Sequence, residues 1–300
     1  MVVCTRRKPL LTWGGPAPAD HGLFGPASVT WRVMAAPVLW TAAFRALYLQ
    51  ALHPRVMRGT WQHTAFADPA QAWGRFLRTA EFVRVRTYGS LAEVERAGRR
   101  VRKLHASLRG IDPDGAEFRL DEPELLLWVH CAEIGSYADI ARRAGIPLAR
   151  GELDAFVDEQ RRAAAVVGLD PARVPGSVAG LEEYYARMRP QLRAIPEARQ
   201  ALLRSLNPVA VPVPNLPLRL VAPAFSGLGF AALPRWARRL YGVPASPLGD
   251  VATTAALRAL HAGTSNGPGD RLILPATRAA RDQARAFQRA LAARCLTAIP

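Results

Sequence analysis

Cysteine is scarce in this chain and long hydrophobic runs are absent. Among the 300 residues the three cysteines are Cys4, Cys131 and Cys295, and no two of them form a Cys-x-x-Cys pair. An odd number of widely separated cysteines predicts neither a disulfide framework nor a zinc site. It favours a reducing compartment.

Signals of export and of membrane spanning are also missing. The basic residues Arg6, Arg7 and Lys8 are followed by a stretch that proline and glycine interrupt, so we expect no signal peptide. The longest uncharged run lies between Arg219 and Arg235, and it is too short and too broken for a spanning helix. We therefore expect a cytoplasmic protein that can touch a membrane surface without crossing it.

Several catalytic signatures are absent as well. The sequence has no HExxH motif, no ExxH of the di-iron kind, no Walker loop and no CxxCH for covalent haem. GTSNG (263–267) has the spacing of a nucleophile elbow, but a helical stretch precedes it where a strand is required. Ser265 is therefore expected in a turn. GLGFAA (227–232) resembles a dinucleotide-binding pattern, but no strand precedes it either.

Arginine dominates the charge. There are 40 basic and 24 acidic side chains, which gives a net charge of +16. A surplus of this size favours anionic partners such as nucleic acid, a membrane surface or acidic groups of a cofactor. A coding bias towards arginine would produce the same surplus without a partner, so charge alone does not assign a function.

Hydrophobic periodicity is helical along nearly the whole chain. Within 91–108 the apolar residues recur on one predicted helix face, and they are Leu91, Val94, Val101, Leu104 and Leu108. The stretch that opens at Asp121, with Glu124 in capping-box spacing, predicts a helix of about six turns that ends near Gly145. Further helices are predicted at 28–50, 68–87, 151–167, 178–190, 196–205, 235–241, 248–262 and 277–295. The predicted fold class is all-α.

One segment departs from this pattern. Residues 207–234 contain closely spaced prolines, which interrupt helices and favour extended chain. The apolar content of the segment indicates that it packs across a core rather than serving as a linker. We therefore expect one domain, residues 23–300, preceded by an N-terminal arm, residues 1–22.

The six histidines are His21, His53, His63, His105, His130 and His261. A histidine on an apolar helix face is more often a hydrogen-bonded core residue than a metal ligand. His105 shares the predicted buried face of its helix with Val101, and His130 lies in a leucine-rich stretch. Two buried imidazoles need partners. From the residues alone, core packing and ligand binding both remain open.

A helix that precedes these histidines carries arginines and a threonine. In WGRFLRTAEFVRVRTYG (73–89), Arg75 and Thr79 are four residues apart and share a face, with Arg78 beside them. An arginine that points inwards needs an anion or several acceptors, and an adjacent threonine hydroxyl can position a small oxygen ligand. A solvated arginine face is the alternative.

Five blocks, in order, resemble the MpaB-like oxygenases, whose catalytic domain is shared with the latex-clearing proteins, or rubber oxygenases. The blocks are LFGPASVTWRV (23–33), LYLQALHPRVMRGTWQHTAF (47–66), RFLRTAEFVRVRTYG (75–89), VRKLHASLRG (101–110) and DEPELLLWVHCAEIGSY (121–137). Each block is short, and their order carries the resemblance.

The resemblance implies a single large helical domain with globin-like packing around a non-covalent haem b. By position, His105 matches the family's axial iron ligand, and Arg75 and Thr79 match an arginine and a threonine near the haem. An imidazole on a rigid helix suits haem iron, and arginines such as Arg75 and Arg78 suit the propionates. His130 is a further candidate for cofactor binding, as a second ligand, an acid-base group or a structural hydrogen bonder. The implied activity is a haem-dependent oxygenase that uses dioxygen on a small apolar, isoprenoid-like substrate.

The chain also departs from the latex-clearing branch. Arg78 stands where that branch has a distal lysine, and an arginine stays protonated and ligates iron poorly. We therefore expect the sixth iron position to be open or to hold water. The branch also has an upstream acidic base, whereas VMRGTWQHTAF (56–66) offers His63 and no carboxylate.

Two other hypotheses compete with this one. The chain could be a non-enzymatic basic helical protein that binds nucleic acid or an anionic membrane surface. That hypothesis relies on the stripe Arg278, Arg281, Arg285 and Arg289 in the predicted C-terminal helix. Alternatively, it could retain the family fold without haem. The oxygenase hypothesis leads, and it expects no nucleic-acid partner.

Overall fold

Helices make up most of the described chain, which confirms the all-α prediction. The computed structural model describes residues 20–64, 69–206 and 216–265, together with 279, 282, 283, 285–287 and 289. The helices are α1 (Val29–Met34), α2 (Leu39–Gln50), α3 (Pro54–Gln62), α4 (Pro69–Tyr88), α5 (Leu91–Ser107), α6 (Pro123–Ala144), α7 (Glu152–Val166), α8 (Val178–Met188), α9 (Pro196–Ser205), α10 (Leu216–Ala231), α11 (Arg235–Leu240) and α12 (Pro247–Ser265). Short 3₁₀ turns lie at Pro171–Arg173 and Arg189–Gln191. An antiparallel hairpin joins β1 (Arg109–Ile111) to β2 (Glu117–Arg119).

Helix α6 is the centre of the core. It begins at Pro123, whose missing N–H and fixed φ suit a first turn, and it ends where Gly145 adopts φ = 74°. A glycine takes that left-handed conformation without steric cost, so the chain leaves the helix there. Helix α6 packs against α2, α7 and α12, and α2 packs in turn against α10.

The side chains of this core are fully enclosed. Trp128, Ile134 and Ile140 of α6 and Leu49 of α2 are each at most 2% exposed. Burial of one such side chain contributes roughly 1.5–3 kcal/mol. The indole of Trp128 donates to the carbonyl oxygen of Gln50 at 3.1 Å, so the polar atom of this large side chain is satisfied. The packing fixes α6 and with it the position of His130.

The long helix predicted at 28–50 is divided. α1 ends at Met34 and α2 begins at Leu39, because Pro37 lies between them and cannot donate a backbone hydrogen bond. The sequence reasoning also missed α3, which starts directly at Pro54, and it missed the β1–β2 hairpin. Both elements are short, and the apolar repeat within each is too brief to be recognised.

The predicted apolar face of α5 is partly wrong. Leu91 and Leu104 are 55% and 53% exposed, whereas Val94 is 3% exposed. The buried face continues from Val94 through Gly98, which lies against α7, to His105. These three positions fall within about 40° of one another on the helix, whereas Leu104 is rotated well away from them.

The proline-rich segment is helical where we expected extended chain. α10 covers Leu216–Ala231 and contains Pro223. Pro217 stands at the second helical position, where a missing N–H costs no helical hydrogen bond. Ala222, Phe225 and Ser226 of α10 are buried, and the helix packs against α2 and α12. Residues 207–215 lie outside the described residues.

The capping box expected before α6 does not form. Asp121 instead pairs with Arg119, at 2.6 Å, and the residue that caps the helix is Glu122. The arginine of strand β2 competes for the carboxylate because the hairpin brings it directly before the helix.

Candidate active site

Helices α4 and α5 carry four of the five predicted site residues. They are joined by a tight turn in which the N–H of Gly89 donates to the carbonyl of Val85 at 2.8 Å. Ser90 then caps α5 in a reciprocal capping box with Glu93. The turn packs the two helices against each other, and Arg75 of α4 is close enough to His105 of α5 to lower its pKa. Arg78 and Thr79 lie within about one helical turn of Arg75 on α4.

Arg75 lies in a mostly buried position without an acidic partner. Its guanidinium donates to the carbonyl oxygen of Thr60, at 3.0 Å, and to the hydroxyl of Thr64. No ion pair of Arg75 occurs among the described residues. Burial and then the neighbouring charge of Arg78 lower the pKa of Arg75. Within the described part of the chain, the positive charge is therefore held in place by neutral acceptors and has no carboxylate partner.

A polar cleft of about 390 Å³ opens beside this guanidinium. Its walls come from the end of α3 and the first half of α4, and they are His63, Thr64, Ala70, Gln71, Gly74, Arg75 and Arg78. The guanidinium of Arg78 lies over Gly74, where a β-carbon would be 3.4 Å from it, within ordinary van der Waals contact. Two arginines and one histidine thus face the same space.

Arg78 and Thr79 are both exposed. Arg78 points over Gly74 into the polar cleft, whereas the hydroxyl of Thr79 donates to the carbonyl of Arg75 at 3.1 Å. Threonine hydroxyls in helices often bond in this way to the preceding turn. The hydroxyl oxygen still has acceptor capacity towards the open side of α4.

His105 is half-buried on the inner face of α5. Its Nδ1 atom is buried and has no hydrogen-bond partner in the described structure. Burial and then the positive charge of Arg75 lower the pKa of His105, and Asp121 acts weakly in the opposite direction. The unprotonated nitrogen of a neutral imidazole can donate its lone pair to a metal, or it can accept a hydrogen bond from another bound group.

His130 lies in a different environment, on α6. It is 3% exposed, its Nε2 atom has no partner in the described structure, and burial lowers its pKa to about 4. The charged neighbours that influence it are Glu133 and Arg86. Besides burial, the pKa of His105 is thus lowered by Arg75, whereas the pKa of His130 is lowered by Arg86. The two arginines are eleven residues apart on α4.

The sequence reasoning missed Arg86 and Glu133. Arg86 is 3% exposed and makes a bidentate ion pair with Glu133, at 2.7 and 3.2 Å. Its Nε atom has no partner in the described structure. The spacing contained a signal, because Arg75, Thr79 and Arg86 recur on one face of α4 at intervals of four and seven residues. His130 and Glu133 are likewise neighbours on one face of α6.

A second cleft, mostly apolar and about 310 Å³ in volume, lies between α2, α3, α4, α9 and α10. Its aromatic wall is a row of three rings, in which Trp73 stacks on Phe76 and Phe76 on Phe44, with centroids 5.1 Å apart in both pairs. Thr60, whose carbonyl binds Arg75, also lines this cleft. A cleft of this size and character suits an apolar small molecule.

The remaining histidines are placed as follows. His53 is 8% exposed and contacts Trp128, with ring centroids 6.4 Å apart. His63 is exposed, and its Nε2 atom is 2.6 Å from the carbonyl oxygen of Arg109. His261 contacts Ser265 at the end of α12, so a helix and not a strand precedes that serine.

The described residues contain neither a metal-binding cluster nor a membrane-spanning helix. Among them, no group of three or more His, Cys, Asp or Glu side chains is arranged to hold a metal ion. Within the same ranges, no helix combines the length and the apolar character needed to cross a bilayer. The predicted C-terminal arginine stripe is described only at Arg285 and Arg289, both exposed, and Arg278 and Arg281 lie outside the described residues.

Comparison with known proteins adds one result. The sequence model of the family described as "ER-bound oxygenase mpaB/B′/Rubber oxygenase, catalytic domain" matches residues 31–264. Neither the curated proteins nor the solved structures contain a significant match to the chain. The match spans α1 to α12 and includes both clefts and the three helices described above, α4, α5 and α6. The chain therefore belongs to the MpaB/rubber oxygenase family of oxygenase catalytic domains.

Proposed function

We propose that the chain is a haem b-dependent oxygenase that acts on a small apolar, isoprenoid-like substrate with dioxygen, and that His105 is the axial iron ligand. The observation that carries the proposal is the buried, unpartnered Nδ1 atom of His105 on a rigid helix. The family supports oxygenase chemistry, and a histidine on a helix is a normal axial ligand for haem.

Positive charge is available next to the α4–α5 pair. Arg75 and Arg78 have no acidic partner among the described residues, which suits an anionic group such as a propionate or another carboxylate. Half-buried apolar side chains, among them Phe82 of α4 and Leu126 of α6, line the inner faces of their helices. Bound haem would supply the activation of dioxygen, which side chains of proteins do not perform by themselves.

The protein's own groups prepare this site. Burial and Arg75 keep His105 neutral at pH 7, so its ring nitrogen retains a lone pair for a ligand bond. Thr79 presents a hydroxyl on the same face of α4 as Arg75. Its proton is donated to the carbonyl of Arg75, so its oxygen can accept a hydrogen bond from a bound group. Arg78 stands where the latex-clearing branch has a lysine, and a guanidinium would be a poor ligand for iron.

His130 and its neighbours form a second group of buried polar side chains, on α4 and α6. Glu133 fixes Arg86 by two hydrogen bonds, and the free Nε of Arg86 and Nε2 of His130 can bind a polar group. The apolar cleft beside Trp73 and Phe76 excludes water from a hydrocarbon. We propose that His105, Thr79 and His130 bind the cofactor, that Arg75 and Arg78 bind an anionic group of the cofactor or of the substrate, and that the apolar cleft binds the hydrocarbon part of the substrate.

Absorption spectroscopy tests the proposal. Protein purified from cells with ample haem, or titrated with haemin, is expected to show a Soret band, and His105→Ala is expected to lose it. His261→Ala, on α12, is the matched control and is expected to keep the band. A wild-type protein without a Soret band, or a His105→Ala variant that retains it unchanged, contradicts the assignment.

A further inference from the structure

The two clefts follow one another along α3 and the two residues after it. Val56 and Thr60 of α3 line the apolar cleft, and His63 and Thr64, which directly follow the helix, line the polar cleft. One guanidinium nitrogen of Arg75 contacts both Thr60 and Thr64, so the two walls lie a short distance apart.

Arg75 stands at the junction of the two clefts. Its guanidinium bonds to Thr60, a wall of the apolar cleft, and to Thr64, a wall of the polar cleft. Helix α4 contributes apolar side chains to one cleft and polar side chains to the other, with Phe76 in the first and Arg75 in the second. A change from apolar to cationic surface over this distance matches an amphiphile with an anionic end.

The anionic end is best matched by a carboxylate. Arg75 and Arg78 face the polar cleft, and neither makes an ion pair with a described carboxylate side chain. Guanidinium groups bind carboxylates through paired, charge-assisted hydrogen bonds. A cation would be repelled here, and a neutral hydroxyl would leave two positive charges uncompensated.

We infer that the polar cleft is a carboxylate-binding subsite for an amphiphilic substrate whose hydrocarbon part occupies the neighbouring apolar cleft. This inference specifies the substrate class of the proposed oxygenase. It rests on the proposed function only in calling the bound molecule a substrate. The binding itself does not require haem and is measured separately.

Dodecanoate, dodecan-1-ol and dodecyltrimethylammonium are suitable probes, because they differ in the end group and share the chain. Tryptophan fluorescence reports occupancy, since Trp73 lines the apolar cleft. Dodecanoate is expected to bind at least about tenfold more tightly than the alcohol, and the ammonium more weakly than both. Equal affinity for acid and alcohol overturns the inference.

Variants locate the subsite. Arg78→Gln is expected to remove most of the preference for the acid and to leave the affinity for the alcohol unchanged. Arg84→Gln is the matched control, because Arg84 lies on the same helix and pairs with Glu81 outside the cleft. Ala201→Phe, which fills the apolar cleft, is expected to weaken both the acid and the alcohol. Loss of the preference in Arg84→Gln, or no loss in Arg78→Gln, contradicts the placement.

A haem propionate could bind to the same arginines. The same measurements distinguish a propionate from a substrate carboxylate as the group that is bound. If the substrate's carboxylate is the ligand, dodecanoate binds haem-loaded and haem-free protein with the same preference. Competition between dodecanoate and haemin, with weaker haemin binding in Arg78→Gln, overturns the inference and assigns the subsite to a propionate. Absence of a Soret band together with an intact acid preference would overturn the proposed function and leave the subsite standing.

Discussion

At the scale of single residues, an unpaired buried nitrogen does not by itself define a site. His53 Nδ1 has no partner in the described structure, and the ring lies against Trp128 in the core. An arginine influences each histidine, but Arg55 near His53 pairs with Asp112 and Glu122, whereas Arg75 near His105 has no ion pair among the described residues. A lone buried imidazole lowers stability at acid pH, and an imidazole beside a cationic cleft can also hold a ligand.

The buried state of His53 predicts a loss of stability at acid pH. Burial, and then Arg55, lower the pKa of His53 from 6.5 to about 4. The unfolded chain takes up a proton below pH 6.5 and the folded chain does so only near pH 4, so stability falls as the pH falls through that window. The contribution of this residue is roughly 2–4 kcal/mol.

Urea denaturation at several pH values measures this effect. The free energy of unfolding is expected to decrease between pH 6.5 and pH 4, and His53→Gln is expected to reduce that decrease. Part of the decrease remains in the variant, because the pKa of His130 is also lowered to about 4. An unchanged pH dependence in His53→Gln contradicts the prediction.

At the scale of secondary-structure elements, the Arg86–Glu133 pair joins α4 to α6. The side chains are 4% and 14% exposed, so removal of one partner leaves a nearly buried charge. Glu133→Gln is expected to lower the free energy of unfolding by about 3 kcal/mol. The exposed pair Arg99–Glu95 is the control, and Glu95→Gln is expected to change stability by less than about 1 kcal/mol.

Denaturant midpoints of the two variants check this prediction. Equal effects of Glu133→Gln and Glu95→Gln would contradict the role of the buried pair. The measurement also bears on the site, because loss of the pair frees the guanidinium that faces His130.

The contact between α6 and α8 depends on a glycine. A β-carbon at Gly135 would lie 2.0 Å from the hydroxyl oxygen of Tyr185, which donates to the carbonyl of Cys131 at 2.6 Å. Gly135→Ala must displace this tyrosine and is expected to destabilise the protein by about 2–4 kcal/mol. Gly263→Ala, on α12 with nothing within 4 Å, is expected to be neutral or to stabilise by about 0.5 kcal/mol.

Thermal unfolding of both glycine variants gives the comparison. If Gly135→Ala is as stable as the wild type, then α6 and α8 can move apart without a loss of stability. That result would contradict the role of their close packing.

At the scale of the whole molecule, a bound haem would add to stability. A ligand that binds the folded state alone stabilises it by about 2.7 kcal/mol at a free concentration of 100 times its Kd. For a chain of this size, whose unfolding entropy is roughly 0.6 kcal/mol per degree, we expect haemin to raise Tm by about 4 °C. The increase should be absent in His105→Ala and present in His261→Ala.

Calorimetry with and without haemin measures this effect. A similar increase in His105→Ala would show that haemin binds elsewhere, for example to the basic surface, and would contradict the ligand assignment. The result does not depend on the choice of substrate.

The sequence determined the helical class, the lengths of α4 and α6 and the end of α6 at Gly145, because these depend on local periodicity and on the conformational freedom of glycine. It also placed Arg75 and Thr79 on one helix face and, through ordered blocks, indicated the oxygenase family. Local patterns do not report what a helix packs against, so they did not show that Leu104 is exposed or that α10 forms through its prolines.

The tertiary structure alone decided how the helices meet. It placed Thr60 and Thr64 of α3 against Arg75, paired Arg86 with Glu133 across two helices, and set an apolar cleft beside a cationic one. These contacts join residues that are 11 to 47 positions apart in the chain. A hydrophobic repeat of 3.6 residues reports the faces of one helix and does not encode contacts between residues so far apart in the chain. These contacts arise because burial of the α2 and α6 core fixes where every other helix can lie.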